Sequence, residues 1–325
     1  MNKKNLAYGM LRWFFFAASL VYLGIFALRS FNLNELRDWI SPTVAFSLLL
    51  SSILFALTAM FSVSGWYILL RQLEQSRKFM LVARTFCITQ IAKYLPGNVG
   101  HHIGRVALAK TSLHIPHGVT FVSILQESAL ACLAALLLSL AGSLLVFSGG
   151  HHGLPIPVLQ GLGTSLTAIL SVALLSGALA LFVVNFWRAR LSRTNSPIAT
   201  WLLKAAPSWR TVLLALPSYL AIYVLNGIAL FVIAMSITNV AWTDLLILTT
   251  AYSLSWTIGF LLPGAPGGLG VREAALAFIL GGTFLPETVF LLSVFSRVST
   301  VLADLLIFLF GAMAPGRVQD GPYQL

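Results

Sequence analysis

The sequence predicts an all-α, polytopic membrane protein with about six full spans plus two broken, re-entrant helical hairpins that together form an inverted repeat. Three observations predict it. Hydrophobic residues make up 58% of the 325 positions, charged residues only 9%, and the mean hydropathy is +0.90. Soluble domains are nearer a quarter charged, so this composition cannot build a water-facing surface. Six apolar stretches meet the ~20 residues a helix needs to cross a bilayer core of about 30 Å. Two further apolar segments are interrupted by the same proline–glycine motif.

The six full spans fall at roughly 11–31, 43–70, 118–147, 159–187, 211–237 and 287–313. The first follows Lys3, Lys4 and Arg12 and superficially resembles a signal peptide. Arg29 and Asn32 follow it in place of a small-x-small cleavage site, so it is expected to remain as an uncleaved span. The first interrupted segment runs from Phe79 to Leu95, breaks at Pro96-Gly97 and resumes over 101–115. The second runs from about Leu245 to Leu262, breaks at Pro263-Gly264 and resumes over 270–282. Proline removes a backbone donor and glycine weakens helix, so each break ends its helix. Broken backbone at membrane depth has to be buried in protein or face a watery cavity.

The charges fit hairpins that return to their own side. With the N-terminus cytoplasmic, the inner links hold Arg71, Arg77, Lys78 and Arg84, then Arg188, Arg190, Arg193, Lys204 and Arg210, and finally Arg317. The outer links are 32–42, with Arg37 alone, and 148–158 and 238–243, with neither Lys nor Arg. This is the positive-inside pattern, and it places both termini in the cytoplasm. It also accounts for the net charge of +11 as topology signal and contact with anionic lipid. No aromatic–basic module accompanies the charge, which excludes nucleic acid as a partner.

The two breaks share the pattern L-P-G-x-x-G-x-x-x-x-R, from Leu95 to Arg105 and from Leu262 to Arg272, at an offset of 167 residues. A single domain over 1–325 with repeat halves of about 1–147 and 159–313 is therefore expected. Three spans separate the hairpins. That odd number inverts the second copy relative to the first, the arrangement in which broken helices meet near the midplane and form a substrate path. The motif residues are Pro96, Gly97 and Gly100 in the first copy and Pro263, Gly264, Pro266, Gly267, Gly268 and Gly270 in the second. Duplicated helix packing without transport is the alternative.

Among the charged residues that interrupt full spans are Glu127 and Arg297. Each costs about 2.5–3.5 kcal/mol at the centre of a span and so requires a partner or water. Each follows a break-proximal arginine, Arg105 or Arg272. Arg105, Arg272 and Arg297 are candidate partners for a phosphate or carboxylate head group, with Glu127 as counter-charge. The competing expectation is a structural ion pair that locks the halves, with Glu127 held by an arginine of the other repeat. Glu273 is expected to pair locally with Arg272, and Asp304, seven residues after Arg297, to neighbour that arginine.

Other chemistry is thinly represented. Of six histidines, only His114 and His117 have a ligand-like spacing, and no Cys or carboxylate completes a set, so no metal or other cofactor is expected. Cys87 and Cys132 sit in apolar surroundings and are expected as small core residues. No nucleophile elbow, Walker loop or dinucleotide fingerprint occurs.

Taken together, Lys93-Tyr94-Leu95-Pro96-Gly97-Asn98-Val99-Gly100 with Arg105, then Gln126-Glu127, then the stretch from Leu262 through Pro266-Gly267-Gly268-Leu269-Gly270-Val271-Arg272-Glu273, resemble the membrane region of lysylphosphatidylglycerol synthase/flippase proteins. The similarity extends over nearly the whole chain and is most specific in the P-G-G-x-G-x-R-E block. It implies a bacterial inner-membrane protein that moves an amino-acylated or other anionic lipid, or a lipid-linked glycan, between leaflets. It carries over Arg105, Glu127, Arg272 and Glu273 as functional positions. Full synthases of that family add a soluble aminoacyl-transferase domain that is not seen in this sequence, so no enzymatic activity is expected. A membrane-embedded transferase remains an alternative, as does a non-transporting partner of a glycosyltransferase or lipid synthase. A homo-oligomer is also compatible with the sequence.

Overall fold

The computed structural model describes residues 41–94, 99–148, 206–261, 268 and 270–314. All regular structure among them is helical. The helices are α1 (Pro42–Gln72), α2 (Phe79–Gln90) with a 3-10 turn (Ile91–Tyr94), α3 (Gly100–Ser112), α4 (His117–Ser148), α5 (Trp209–Ile237), α6 (Asp244–Leu261), α7 (Val271–Leu280) and α8 (Pro286–Met313). Four of them, α1, α4, α5 and α8, are long and apolar enough to cross a membrane. They coincide with four of the six expected spans. The expected spans 11–31 and 159–187 lie outside the described residues, as do Pro96, Gly97, Pro263, Gly264, Pro266 and Gly267 of the breaks.

Local sequence sets the helix ends. Ser41 caps α1 by accepting from the Val44 N–H at 3.2 Å, with Pro42 at the first helical position. Ser208 caps α5 by accepting from the Thr211 N–H at 3.1 Å. Around each break the helices stop and restart as expected. α2, α3 and α7 have 12, 13 and 10 residues, or about 18, 20 and 15 Å at 1.5 Å per residue. None of these alone reaches across an apolar core of about 30 Å.

The packing is a helix bundle. α1 and α5 form the most extensive pair, and α8 packs on α1, α2 and α5. Three apolar clusters result. One joins α1, α5, α6, α7 and α8 around Leu230, Leu248, Leu280 and Leu292. A second joins the later part of α1 to α2 and α3 around Trp66, Val82 and Ile115. The third joins α4 and α5 around Ala134, Ala215 and Tyr219. Lipid removes much of the hydrophobic drive for helices to associate, so close approach and hydroxyl bonds matter more. Ser51 donates to the Ala229 carbonyl at 2.9 Å, Ser299 to the Leu48 carbonyl at 3.2 Å, and the Trp66 indole to Ser123 Oγ at 2.9 Å. Gly311 lets α8 lie directly on α2: a Cβ there would stand 2.7 Å from Cys87 Cβ. That contact fixes α8 beside the first broken segment.

Candidate functional site

A cavity of about 220 Å³ lies where the helices converge, and every described helix contributes to its wall. Its lining contains four cations, Lys93, Arg105, Arg272 and Arg297, against two carboxylates, Glu127 and Asp304. The cavity therefore brings four of the five expected head-group residues to one place. The fifth, Glu273, lines a smaller pocket of about 10 Å³ next to it, shared with Arg272 and Arg297.

The ion pairs follow a different pattern from the expected ones. Arg105, on α3, pairs with Glu127 on α4. Its side chain is 1% exposed, with the guanidinium over the rings of Phe86 at 4.2 Å and Trp66 at 4.9 Å. Glu127 thus takes an arginine of its own repeat half, not of the other. In the second half the polarity is reversed. Glu273, beside the motif arginine, forms an ion pair with Arg297, its Oε1 3.3 Å from Nε, and not with Arg272. It also accepts from the Gly270 N–H at 2.8 Å, which caps the first turn of α7. In each half, then, the segment after the break is ion-paired to the following long helix, with the carboxylate on the long helix in one half and on the short helix in the other.

Asp304 finds its partners in the first half of the chain. It accepts from Lys93 Nζ at 2.7 and 2.8 Å and from Tyr94 Oη at 2.5 Å. This ties the end of α2, in the first half, to α8 in the second. The sequence offered Asp304 as a charge inside an apolar span but gave no sign that its partner lies 211 residues away. The seven-residue spacing does put Arg297 and Asp304 on one helix face, and both line the cavity.

Arg272 is held differently from the other three cations. Its Nη2 donates to Tyr252 Oη at 2.7 Å, and its guanidinium lies 5.2 Å from the Tyr252 ring centroid. Among the described residues no carboxylate stands within ion-pair distance of it. The glycines around the second break make room for its stem. Gly268 and Gly270 have φ of +72° and +82°, where side chains other than hydrogen are strained. A Cβ on Gly268 would come within 2.8 Å of Arg272 Cδ, and one on Gly259 would collide with Arg272 Cγ. Gly259 and Gly268 thus clear the path of the arginine that ends the motif.

Polar capacity is left over at the wall. His101 and His102, in the first turn of α3, stack with ring centroids 3.8 Å apart. Their Nδ1 atoms, Arg105 Nε and the Tyr219 hydroxyl are buried without a hydrogen-bond partner among the described residues. His114 and His117 do not meet a third ligand-type residue; among the described residues no group of three His, Cys, Asp or Glu comes together. Cys87 is buried and free in the core beside α8, and Cys132 is a free thiol on α4.

Residues missed from the sequence are mostly aromatic. Tyr252, Trp256 and Phe260 recur every four residues on α6 and all line the cavity. Their spacing was visible, but in an apolar helix such a stripe has no distinguishing mark until the face it lies on is known.

Among curated proteins none matches this chain. Residues 12–307 match the family described as the lysylphosphatidylglycerol synthase TM region. That match spans most of the chain, including both broken segments and every residue of the cavity wall. The chain belongs to the lysylphosphatidylglycerol synthase TM region family and is a multi-pass integral membrane protein built on long apolar helices.

Proposed function

We propose that the protein binds the anionic head group of a membrane lipid in this cavity and carries it between the leaflets of the bacterial inner membrane. The observation that carries the proposal is Arg272: a cation at the wall of a central cavity, hydrogen-bonded to a tyrosine and with no carboxylate within ion-pair distance among the described residues. A cation away from bulk water calls for an anion. A phosphate or carboxylate supplies one, and guanidinium geometry suits both.

Two further features support transport over simple binding. The segments around the two breaks repeat at an offset of 167 residues, and residues of both line the cavity, which supports reading them as an inverted repeat around a midplane site. The Lys93–Asp304 bridge joins the two halves by charge, a contact that can open and re-form as the halves move. The orientation that follows from the basic links puts both termini in the cytoplasm. A membrane-embedded transferase would use Glu127 or Glu273 as acid or base, and both are engaged by arginines.

The test is a leaflet assay in proteoliposomes with a fluorescent phosphatidylglycerol whose outer-leaflet pool is quenched by dithionite. The expected result is a quenchable fraction that rises towards the whole pool with the parent protein and stays at the protein-free level with Arg272→Met. Protein-free behaviour of the parent, for phosphatidylglycerol and every other anionic lipid tried, overturns the proposal.

A further inference from the structure

We infer that the ligand recognised here carries a neutral polyhydroxy ring on its phosphate, a glycosyl- or inositol-phosphate head group, and not a cationic amine. The inference rests on the head-group site proposed above and names what that site selects.

The first ground is the balance of charge. An amino-acylated head group brings an ammonium, which calls for a free carboxylate. Each carboxylate at the cavity or beside it already holds a cation: Glu127 holds Arg105, Asp304 holds Lys93, and Glu273 holds Arg297. With Glu273 counted, four cations face three carboxylates, so the one spare charge is positive, that of Arg272. An added ammonium would be repelled where a phosphate is attracted.

The second ground is the aromatic row. Trp256 and Phe260 are parallel to within 4° with centroids 5.1 Å apart, and Tyr223 of α5 meets Trp256 edge-on at 5.4 Å. All three line the cavity. The row begins at Tyr252, which holds Arg272. Trp256 lies one step of four residues further along α6, or about 6 Å along the axis. A phosphate on Arg272 would therefore place the next ring of its ester beside an indole. The C–H face of a sugar or inositol ring is weakly positive and packs on the negative face of an aromatic ring.

The third ground is hydrogen bonding. The Tyr219 hydroxyl is buried (1% exposed), borders the cavity and has no partner among the described residues. The Nδ1 atoms of His101 and His102 are in the same position. Buried polar atoms in native proteins are nearly always satisfied. A ring bearing several hydroxyls, each both donor and acceptor, can satisfy these atoms in either imidazole tautomer, whereas an ammonium serves only those that accept. The volume agrees. At about 220 Å³ the cavity is below the roughly 300–1,000 Å³ of drug-sized sites, which suits one ring and one phosphate but not a whole lipid.

The same chemistry occurs in a lipid head group and in a free sugar phosphate, so the experiment separates them. Purified full-length protein is incubated with equimolar phosphatidylinositol, phosphatidylglycerol and lysyl-phosphatidylglycerol, and the retained lipids are counted by native mass spectrometry. The incubation is repeated with glucose 1-phosphate as competitor. Expected is a preference for phosphatidylinositol over phosphatidylglycerol of about two- to tenfold, the range one aromatic contact supplies. The lysyl lipid is expected to be retained least. Trp256→Leu and, separately, Phe260→Leu are expected to bring the ratio towards one, with Trp256→Phe intermediate; a monodisperse, helical preparation qualifies each variant. Displacement by glucose 1-phosphate at equimolar concentration would assign the ring phosphate to a soluble source, and its absence to a lipid. Equal retention of phosphatidylinositol and phosphatidylglycerol, or preference for the lysyl lipid, overturns the inference even if the leaflet assay succeeds. A retained preference without leaflet exchange leaves the inference standing and removes the transport proposal.

Discussion

Replacing Glu127 with leucine tests what the buried pair does for the fold. The substitution keeps the volume of the side chain and removes the charge. Arg105 is left 1% exposed, with Phe86 and Trp66 over its guanidinium and no carboxylate partner. Breaking a buried pair at one end costs about 3–5 kcal/mol, because the remaining charge stays desolvated. The two aromatic faces return part of that, at most about 2 kcal/mol for a desolvated cation, so the net expectation is about 1–5 kcal/mol. Removing both charges, as Arg105→Met with Glu127→Leu, leaves no orphan and is expected to be near neutral or stabilising. The assay is thermal unfolding in one detergent at fixed lipid content, comparing parent, both single variants and the double variant. At about 2–4 °C per kcal/mol for domains of 150–250 residues, Glu127→Leu lowers Tm by at least about 2 °C, and the double variant recovers it. A double variant as unstable as the sum of the two singles would refute the reasoning, since it would mean that the pair is not coupled. The leaflet assay on the same double variant then separates roles: a stable protein that no longer exchanges lipid assigns the pair to the site, and one that does assigns it to packing.

Two other perturbations follow from the geometry. Gly259→Val places atoms where the Arg272 stem lies; overpacking of this kind costs about 1–3 kcal/mol, and the expected readout is loss of retained anionic lipid to the level of Arg272→Met, whereas full retention would show that Arg272 does not anchor it. Asp304→Asn removes the charge that Lys93 and Tyr94 share; losing a hydrogen bond to a charged group costs about 1.5–3 kcal/mol, read as a lower Tm, and a variant indistinguishable from the parent would mean that the bridge between the halves contributes nothing.

Much of the helical layout was legible from hydropathy and from proline and glycine. The stretches 43–70, 118–147, 211–237 and 287–313 appear as helices within a residue or two of those bounds, because twenty apolar residues in lipid have no other way to satisfy their backbone. The helix ends at the breaks were legible for the same kind of reason: Pro and Gly act on their own local backbone. The pairing of charges was not. Glu273 was expected to hold Arg272 because they are adjacent, yet adjacent residues on a helix diverge by about 100° and face different neighbours. Glu273 instead faces Arg297 and caps its own helix, while Arg272 turns towards Tyr252.

Sequence alone determined that this chain belongs in a membrane and where the four described long helices run, since each of these depends on composition within a window of some twenty residues. The tertiary structure alone decided which charges are spent on one another and which is left over. Asp304 and Lys93 are 211 residues apart, and whether Arg272 meets a carboxylate or a cavity depends on angles between helices that no local pattern encodes. The aromatic row of α6 gained its significance in the same way, by being turned towards the cavity and not towards lipid.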